Sequence, residues 1–253
     1  MKVLSYNLEK NKAVGELLAL TEAHDLDLIC LQEADADALP TELGGLHLVD
    51  RTYANRLGLA IYHRRDRYSP MHTEAFALKK SLHDRVAKPA HERLLATRLI
   101  DRATDHELVV ASFHAAPLTA LNSLRRAQIA SAHERLGELG PGLPHLMVGD
   151  YNYPLFRRGL GRSMTKTGHD LTFSDGRTYT RYKFLRGHFD FATSIGMAIT
   201  TVQTLPQGES DHLPILVSAT YGEIPDVPDP STPDSSSDSA PGTSASQTSS
   251  ATQ

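Results

Sequence analysis

The chain has 253 residues, of which 40% are hydrophobic and 22% charged, with a formal net charge of −4. That balance is ordinary for a water-soluble globular protein and excludes a highly charged tail-like or fibrous chain. No apolar run approaches the roughly 18–20 residues a helical membrane span needs, and the single cysteine, Cys30, excludes an internal disulfide.

Elements in chain order begin with a short strand at 2–6, "KVLSY", and a helix over 12–24, "KAVGELLALTEAH", with Val14, Leu17, Leu18 and Thr21 on one stripe. Strands follow at 26–32, "LDLICLQ", and 57–64, "LGLAIYHR". "RLLATRLI" (93–100) and "HELVVASF" (106–113) flank the turn "DRATD" and predict an antiparallel pair. The spacing of Leu121, Leu124, Ile129, Ala132 and Leu136 predicts a helix over 119–139 with those residues facing the core. "LPHLMVGD" (143–150) is a strand, and a long irregular stretch comes after it. Three strands close the apolar part, at 188–194, 197–204 and 213–221. Strands outnumber helices and several pairs are joined by short turns, which argues for mixed or antiparallel sheets.

Residues 222–253 differ in kind. Ser, Pro, Thr, Asp and Ala dominate there, and large apolar residues are almost absent. Such a segment buries too little surface to offset its ordering entropy, so a disordered tail is expected after a domain spanning 1–221. The tail holds five acids and no base, which leaves 26 bases against 25 acids in the rest, a net of +1. Affinity for phosphates therefore has to come from local clustering. The start, "MKVLSYNLEK", lacks a signal-peptide pattern, and with the lone thiol this predicts a reducing, cytoplasmic setting.

Polar residues recur where apolar strands end or begin. They are Asn7, Glu33, His114, Asp150 with Asn152, and the neighbours Asp211 and His212. Taken singly, an Asn or Glu after a strand reads as a turn residue or a helix cap. Asp190 fits that bland reading least well. It stands between Phe189 and Phe191 within a strand, where an unpaired carboxylate is costly, so it calls for a partner such as the His212 imidazole. Oxygen donors without a Cys or His cluster suit a hard cation such as Mg²⁺. "AHERL" occurs twice, at 90–94 and 132–136, and neither copy is the HExxH of a zinc protease.

Together, "SYNLE", "LICLQE", "SFHAAP", "GDYN", "GHFDFATS" and "SDHLPI", in this order across residues 1–219, resemble the endonuclease/exonuclease/phosphatase superfamily. That family includes pancreatic-type deoxyribonuclease, exonuclease III-type repair nucleases, sphingomyelinases and inositol phosphatases. The resemblance implies a four-layer α/β sandwich of two packed mixed sheets flanked by helices, with the site where strand ends converge. It implies Asn7, Glu33 and Asp211 as metal ligands, and Asp150 as the carboxylate that orients or activates water. Asn152 is implied as a phosphate binder, and His212 as the histidine at the scissile phosphate with Asp190 behind it. "SFHAAP" resembles the deoxyribonuclease version, in which His114 is a further acid–base or phosphate-binding group and Glu92 its support. Glu9 either widens the metal site or is simply solvated.

The expected protein is a monomeric Mg²⁺-dependent phosphodiesterase, with Mn²⁺ as a substitute ion, acting on DNA or RNA without inserting in a membrane. A small or lipid phosphoester is the alternative substrate, and a non-catalytic binding protein on the same fold is a third, disfavoured reading. The chain has no Trp for an abasic-sugar pocket. Residues 154–187 carry eight basic residues against Asp170 and Asp175, with five Phe and Tyr interleaved. This segment is either a nucleic-acid contact loop, basic for the backbone and aromatic for stacked bases, or a solvated loop whose aromatics anchor it to the core.

Overall fold

The computed structural model describes residues 1–55, 57–80, 91–153, 157–181 and 187–222. From the N-terminus come β1 (Lys2–Asn7), a 3-10 turn (Lys12–Glu16), α1 (Leu17–His24), β2 (Leu28–Ala34), β3 (Glu42–Leu43), β4 (Leu46–Arg51), β5 (Gly58–Arg64) and β6 (Tyr68–Ala77). There follow β7 (Glu92–Asp101), β8 (His106–His114), α2 (Asn122–Leu139), β9 (His145–Asp150), α3 (Arg157–Lys166) and β10 (Asp170–Phe173). The last strands are β11 (Asp190–Ile195), β12 (Met197–Thr204) and β13 (Ile215–Tyr221). A seven-stranded sheet runs β12-β13-β1-β2-β5-β4-β3, and a six-stranded sheet runs β10-β11-β9-β8-β7-β6. Both sheets are mixed, with β1 parallel to β2 and β8 parallel to β9.

Strand alternation builds three apolar layers. Val3, Leu28, Cys30 and Ile61 from one sheet meet Leu95, Val110, Leu146 and Val148 from the other in the central core. Leu4, Tyr6, Ile29 and Leu31 point the opposite way, onto the 3-10 turn and α1. Ala96, Val109, Phe113 and Met147 likewise pack beneath α2 and α3 through Ile129, Leu136, Leu160 and Met164. The result is helix, sheet, sheet, helix: the four-layer α/β sandwich. Burying each such Leu or Val contributes roughly 1.5–3 kcal/mol. At the end opposite the strand tips described below, Arg67 spans Asp27 (3.0 Å) and Asp101 (3.3 Å), and Tyr221 donates to Asp101 as well (3.0 Å).

Several expected details shift. The 12–24 helix is a 3-10 turn followed by α1. A three-residue period rotates the buried face, so Ala13, Leu17 and Thr21 are buried while Leu18 is 47% exposed. In α2 Ile129, Ala132 and Leu136 are buried as expected, but Leu121, just before the helix, is 74% exposed, and Arg125, Gln128 and His133 join the buried face. Hydrogen bonds permit this. Arg125 donates to the carbonyls of Ala116 (3.1 Å) and Pro117 (2.7 Å), and Gln128 accepts from Ala116 N (2.8 Å). The stretch after β9 is not irregular throughout, because Leu160 and Met164, one helical turn apart, bury the inner face of α3. The tail beyond Gly222 lies outside the described residues. Among the described residues no helix is long and apolar enough to cross a membrane.

Gly149 sits where β9 runs against β8. Its φ is 149°, and a Cβ there would stand 1.9 Å from the Phe113 carbonyl oxygen. Gly149→Ala is expected to cost more than about 3 kcal/mol of stability. Gly161→Ala, with open space around the new methyl, should be neutral or stabilising by up to about 1 kcal/mol. Urea denaturation of the two variants checks both.

A second prediction concerns pH. His133 hydrogen-bonds Thr167 and Thr193 (both 2.9 Å) and stacks on His169, ring centroids 3.6 Å apart. Burial, with the neighbouring rings adding to it, pushes the His133 imidazole down to about 2, and burial pushes His169 to about 4. Both are neutral in the folded protein but take up protons in the unfolded chain near the ordinary value of about 6.5. Their contribution to stability is therefore full above about pH 6.5 and is lost as the pH falls from there towards the folded values. The urea midpoint should drop between about pH 7 and about pH 5, a window in which ordinary carboxylates stay ionised, and His133→Gln should flatten that drop.

Candidate active site

The inward-facing residues of the central strands change character along the strands. In β1 they run Val3, Ser5, Asn7; in β2 Leu28, Cys30, Gln32; in β8 Val110, Ser112, His114; in β9 Leu146, Val148, Asp150. In β11, which runs the other way, Ala192 is followed towards the same end by Asp190. Apolar pairs thus give way to a polar bridge and then to ionisable groups. The bridge is Gln32, whose Nε2 donates to Ser112 Oγ across the two sheets at 2.9 Å, while Ser112 Oγ donates to the Leu31 carbonyl (2.9 Å). Each buried polar atom of the bridge has a partner, as such atoms must.

Asp150 is the hub. It is 1% exposed. Its Oδ1 accepts Asn152 N (2.8 Å), and its Oδ2 accepts Asn7 Nδ2 (3.0 Å) and Asn152 Nδ2 (3.1 Å). Two imidazole nitrogens flank the same oxygen, His114 Nε2 at 3.6 Å and His212 Nε2 at 3.7 Å. Burial raises the Asp150 carboxyl above the usual carboxylate range, His212 works against that, and Asp190 adds to it.

His212 binds Asp190 Oδ2 through Nδ1 at 2.8 Å, and its ring leans on Tyr179 (4.9 Å) and Phe189 (6.0 Å, edge-on). Burial disfavours its charged form, but Asp190 and Asp150 on opposite nitrogens outweigh that and push it up to about 10. The ring lies between two carboxylates, an arrangement that favours its charged form. Asp190 Oδ1 is buried and finds no hydrogen-bond partner among the described residues.

Glu33 reaches the site through a distorted backbone. By simple alternation it would share the outer face of Ile29 and Leu31. The pairing of β2 with β5 slips between Leu31 and Ala34, and Glu33 has φ 51°. That bulge turns the side chain until Oε1 lies 4.0 Å from His114 Nε2. Three consecutive left-handed residues, Glu9, Lys10 and Asn11 (φ 44°, 59°, 67°), wrap around it, and Lys10 N donates to Glu33 Oε2 at 3.0 Å. Non-glycine residues in that region cost on the order of 1–3 kcal/mol each and cluster where function requires them.

Asp211 and His212 look in different directions. Asp211 Oδ2 lies 3.5 Å from Arg181 Nη1, and its backbone N–H donates to Glu9 Oε2 (2.9 Å). Burial raises the Asp211 carboxyl, and the Glu9 and Glu33 carboxylates add to this. Oxygen donors carrying crowded negative charge fit a hard divalent cation. The amide oxygen of Asn7 accepts Glu9 N (3.0 Å) and retains a second lone pair. Among the described residues, only Asp150, Asp190 and His212 bring three ligand atoms within 4.8 Å of one another. A cation there would compete with a proton for the imidazole lone pair of His212, and the 2.8 Å bond from Nδ1 to Asp190 favours the trio as a proton-holding relay. Glu9, Glu33 and Asp211 stand wider apart.

Glu92 is not brought to His114. Its Oε2 accepts Ala54 N (3.0 Å), and the neighbouring Arg93 instead holds the carbonyls of His114 (3.0 Å) and Ala115 (2.8 Å). Sequence reasoning also left out Ser210 and Thr178. Ser210 Oγ donates to the Asn7 carbonyl (2.7 Å) and accepts His212 N (3.0 Å), tying β1 to the His212 turn. Thr178 Oγ1 accepts the N–H groups of Phe189 and Asp190 (3.0 and 3.1 Å). The place of Ser210 beside Asp211 and His212 was a usable signal, whereas nothing around Thr178 marks it.

A fold of two packed mixed sheets with carboxylates, amides and imidazoles gathered at one set of strand tips defines a phosphoesterase-type α/β sandwich. The chain belongs to the Endonuclease/Exonuclease/phosphatase family, whose pattern it matches over residues 4–212. Members of that family are hydrolases acting on phosphoesters. The structure is similar to a mannosyl-6-phosphatase from Bacteroides thetaiotaomicron VPI-5482, with TM-score 0.70 and 17% identity over 87% of this chain and 100% of that one. It is similar to the human Nocturnin catalytic domain with bound sulfate (TM-score 0.70, 14% identity, 87% and 94% covered). It is also similar to D. rerio TDP2 complexed with a single-stranded DNA product (TM-score 0.67, 13% identity, 87% and 98% covered). No curated protein matches the chain by sequence.

Replacing Asp190 with Asn removes one of the two charges that hold the His212 proton. In metal-free protein, Asp190→Asn is expected to lower the titration midpoint of the His212 ring by about 1–3 pH units. Nuclear magnetic resonance of the imidazole reads this directly, and an unmoved midpoint would discard the pairing as the source of the charge.

Proposed function

We propose that the protein is a divalent-cation-dependent phosphodiester hydrolase acting on nucleic acid, with residues 1–221 as its catalytic unit. The observation that carries the reading is a buried carboxylate, Asp150, flanked by the His212 imidazole and held by the amides of Asn7 and Asn152. Asn7, Glu33 and Asp211, widened by Glu9, would hold Mg²⁺ or Mn²⁺. The ion, when bound, supplies charge stabilisation at a phosphoryl oxygen.

The chain's own groups do the rest. Asp150 orients a water and accepts its proton, a role suited to a carboxyl whose pKa burial has raised. His212, kept charged by Asp190, offers an N–H to the negative charge that grows on the phosphoryl oxygens. Asn152, freed from Asp150 as substrate enters, and His114 would bind the remaining oxygens. Asp190 is a positioning residue, since it acts through His212. Glu92 would act only indirectly, through the turn at Ala54.

The basic segment 154–187 supports a polyanionic substrate, with Arg162, Lys166 and Arg177 exposed. Its described aromatics favour anchoring over base stacking, because Phe173 packs on Phe191 (5.2 Å) and Tyr179 on Phe189 (4.6 Å). Phe156, Tyr182 and Phe184 lie outside the described residues. A second reading, hydrolysis of a small phosphoester, draws support from that inward packing and from the likeness to a mannosyl-6-phosphatase.

Purified protein with Mg²⁺ is expected to cleave a phosphodiester and to stop in EDTA. Asp150→Asn and His212→Gln should each lower turnover by about 10²–10⁴-fold with the fold retained by circular dichroism. Plasmid, single-stranded DNA, RNA, inositol phosphates, sphingomyelin and a sugar phosphate, assayed side by side, separate the two readings. Turnover of the sugar phosphate alone would remove the nuclease assignment.

A further inference from the structure

The segment 178–181 is stitched to the segment 211–213. Leu213 N donates to the Thr178 carbonyl at 2.7 Å and Thr180 N to the Asp211 carbonyl at 2.9 Å, and Tyr179 forms an antiparallel bridge with His212. Gln207 Nε2 holds Thr180 Oγ1 at 2.8 Å. These bonds fix the backbone of Arg181 at the rim, beside Asp211. Its guanidinium reaches Asp211 Oδ2 at 3.5 Å with the side chain 52% exposed. A charge-assisted hydrogen bond spans about 2.7–2.9 Å, so this pair is long and solvent-washed, and exposed pairs of this kind contribute little to stability. The same cation also bears on Glu9.

Building on the cation-dependent phosphoesterase reading above, we infer that Arg181 answers two charges in turn. It neutralises Asp211 when no divalent ion is bound, and it takes a phosphate oxygen of the substrate when one is. The argument is one of charge. Asn7, Glu33 and Asp211 would hold a dication whose charge replaces the one that Arg181 answers, and the guanidinium beside Asp211 would then be repelled. An incoming phosphate brings fresh negative charge to the same rim, and guanidinium matches its oxygens in a two-pronged geometry. Breaking a long exposed pair costs little, and the stitched backbone keeps Arg181 at the rim when it breaks. One residue thus opposes cation binding and favours phosphate binding. An arginine that merely braced the rim would, when removed, weaken both.

The test uses the full chain and needs no turnover. Mn²⁺ affinity is measured without substrate from the electron paramagnetic resonance signal of the free ion. Inorganic phosphate is then titrated calorimetrically into the Mn²⁺-loaded protein. Arg181→Gln is expected to bind Mn²⁺ about three- to tenfold more tightly and phosphate about tenfold more weakly. Arg181→Lys, which keeps the charge, should stay near the wild type for Mn²⁺. Mn²⁺ affinity that is unchanged or weaker in Arg181→Gln overturns the inference, as does unchanged phosphate affinity, and in either case a wild type that still binds Mn²⁺ leaves the functional reading standing. A wild type that binds no Mn²⁺ overturns that reading and this inference together.

Discussion

The carboxylate of Asp150 is placed where the core between the sheets ends, and it is almost wholly cut off from water. An isolated charge in such a place costs several kcal/mol even after relaxation. The chain meets that cost with groups drawn from separate elements: amide donors from Asn7 of β1 and Asn152 of the turn after β9, and the nearby imidazoles of His114 from β8 and His212 from the turn before β13. The Asn7 contact joins one sheet to the other. Both sheets must therefore stand in register for the hub to be satisfied, and Gln32 and Ser112, one step deeper, lock that register with a second cross-sheet bond.

The same constraint accounts for the strained backbone. A strict two-residue alternation would leave Glu33 on the helix side of its sheet. The bulge and the left-handed run at Glu9, Lys10 and Asn11 bring it round, at a cost the apolar layers absorb. Negative charge concentrated on Glu9, Glu33, Asp150 and Asp211 is eased by His212, Lys12 and Arg181 from its edges. The proposed cation and anionic substrate would both draw on that arrangement.

Much of the fold was legible in the sequence because its strands are either fully apolar or cleanly alternating. The pair β7 and β8 declares itself in this way, with Leu94 opposite Phe113 and Asp101 opposite His106. Elements without that signal were not legible. Most of β6 is exposed or half-buried along its length, so no periodicity marks it, and α3 hides the buried Leu160 and Met164 among glycines and basic residues. The buried face of α2 was legible at Ile129, Ala132 and Leu136 but not at Arg125 and Gln128, which are buried through hydrogen bonds to the turn at Ala116 and Pro117, not through hydrophobicity.

Strand periodicity, a property of the chain alone, determined mixed or antiparallel sheets, and the order of the motifs carried the resemblance that implied the sandwich and most of the strand-tip group. The sequence also determined that Asp190, flanked by Phe189 and Phe191, needed a partner. Only the tertiary structure decided which groups share an atom. Three separate segments place Asn7, His114 and His212 around one oxygen of Asp150, Glu92 turns to Ala54 while Arg93 holds the His114 turn, and Ser210 and Arg181 join the site from either side of Asp211. The physical reason is that these contacts depend on register and on local left-handed backbone, which packing of the whole sandwich imposes and no local pattern records.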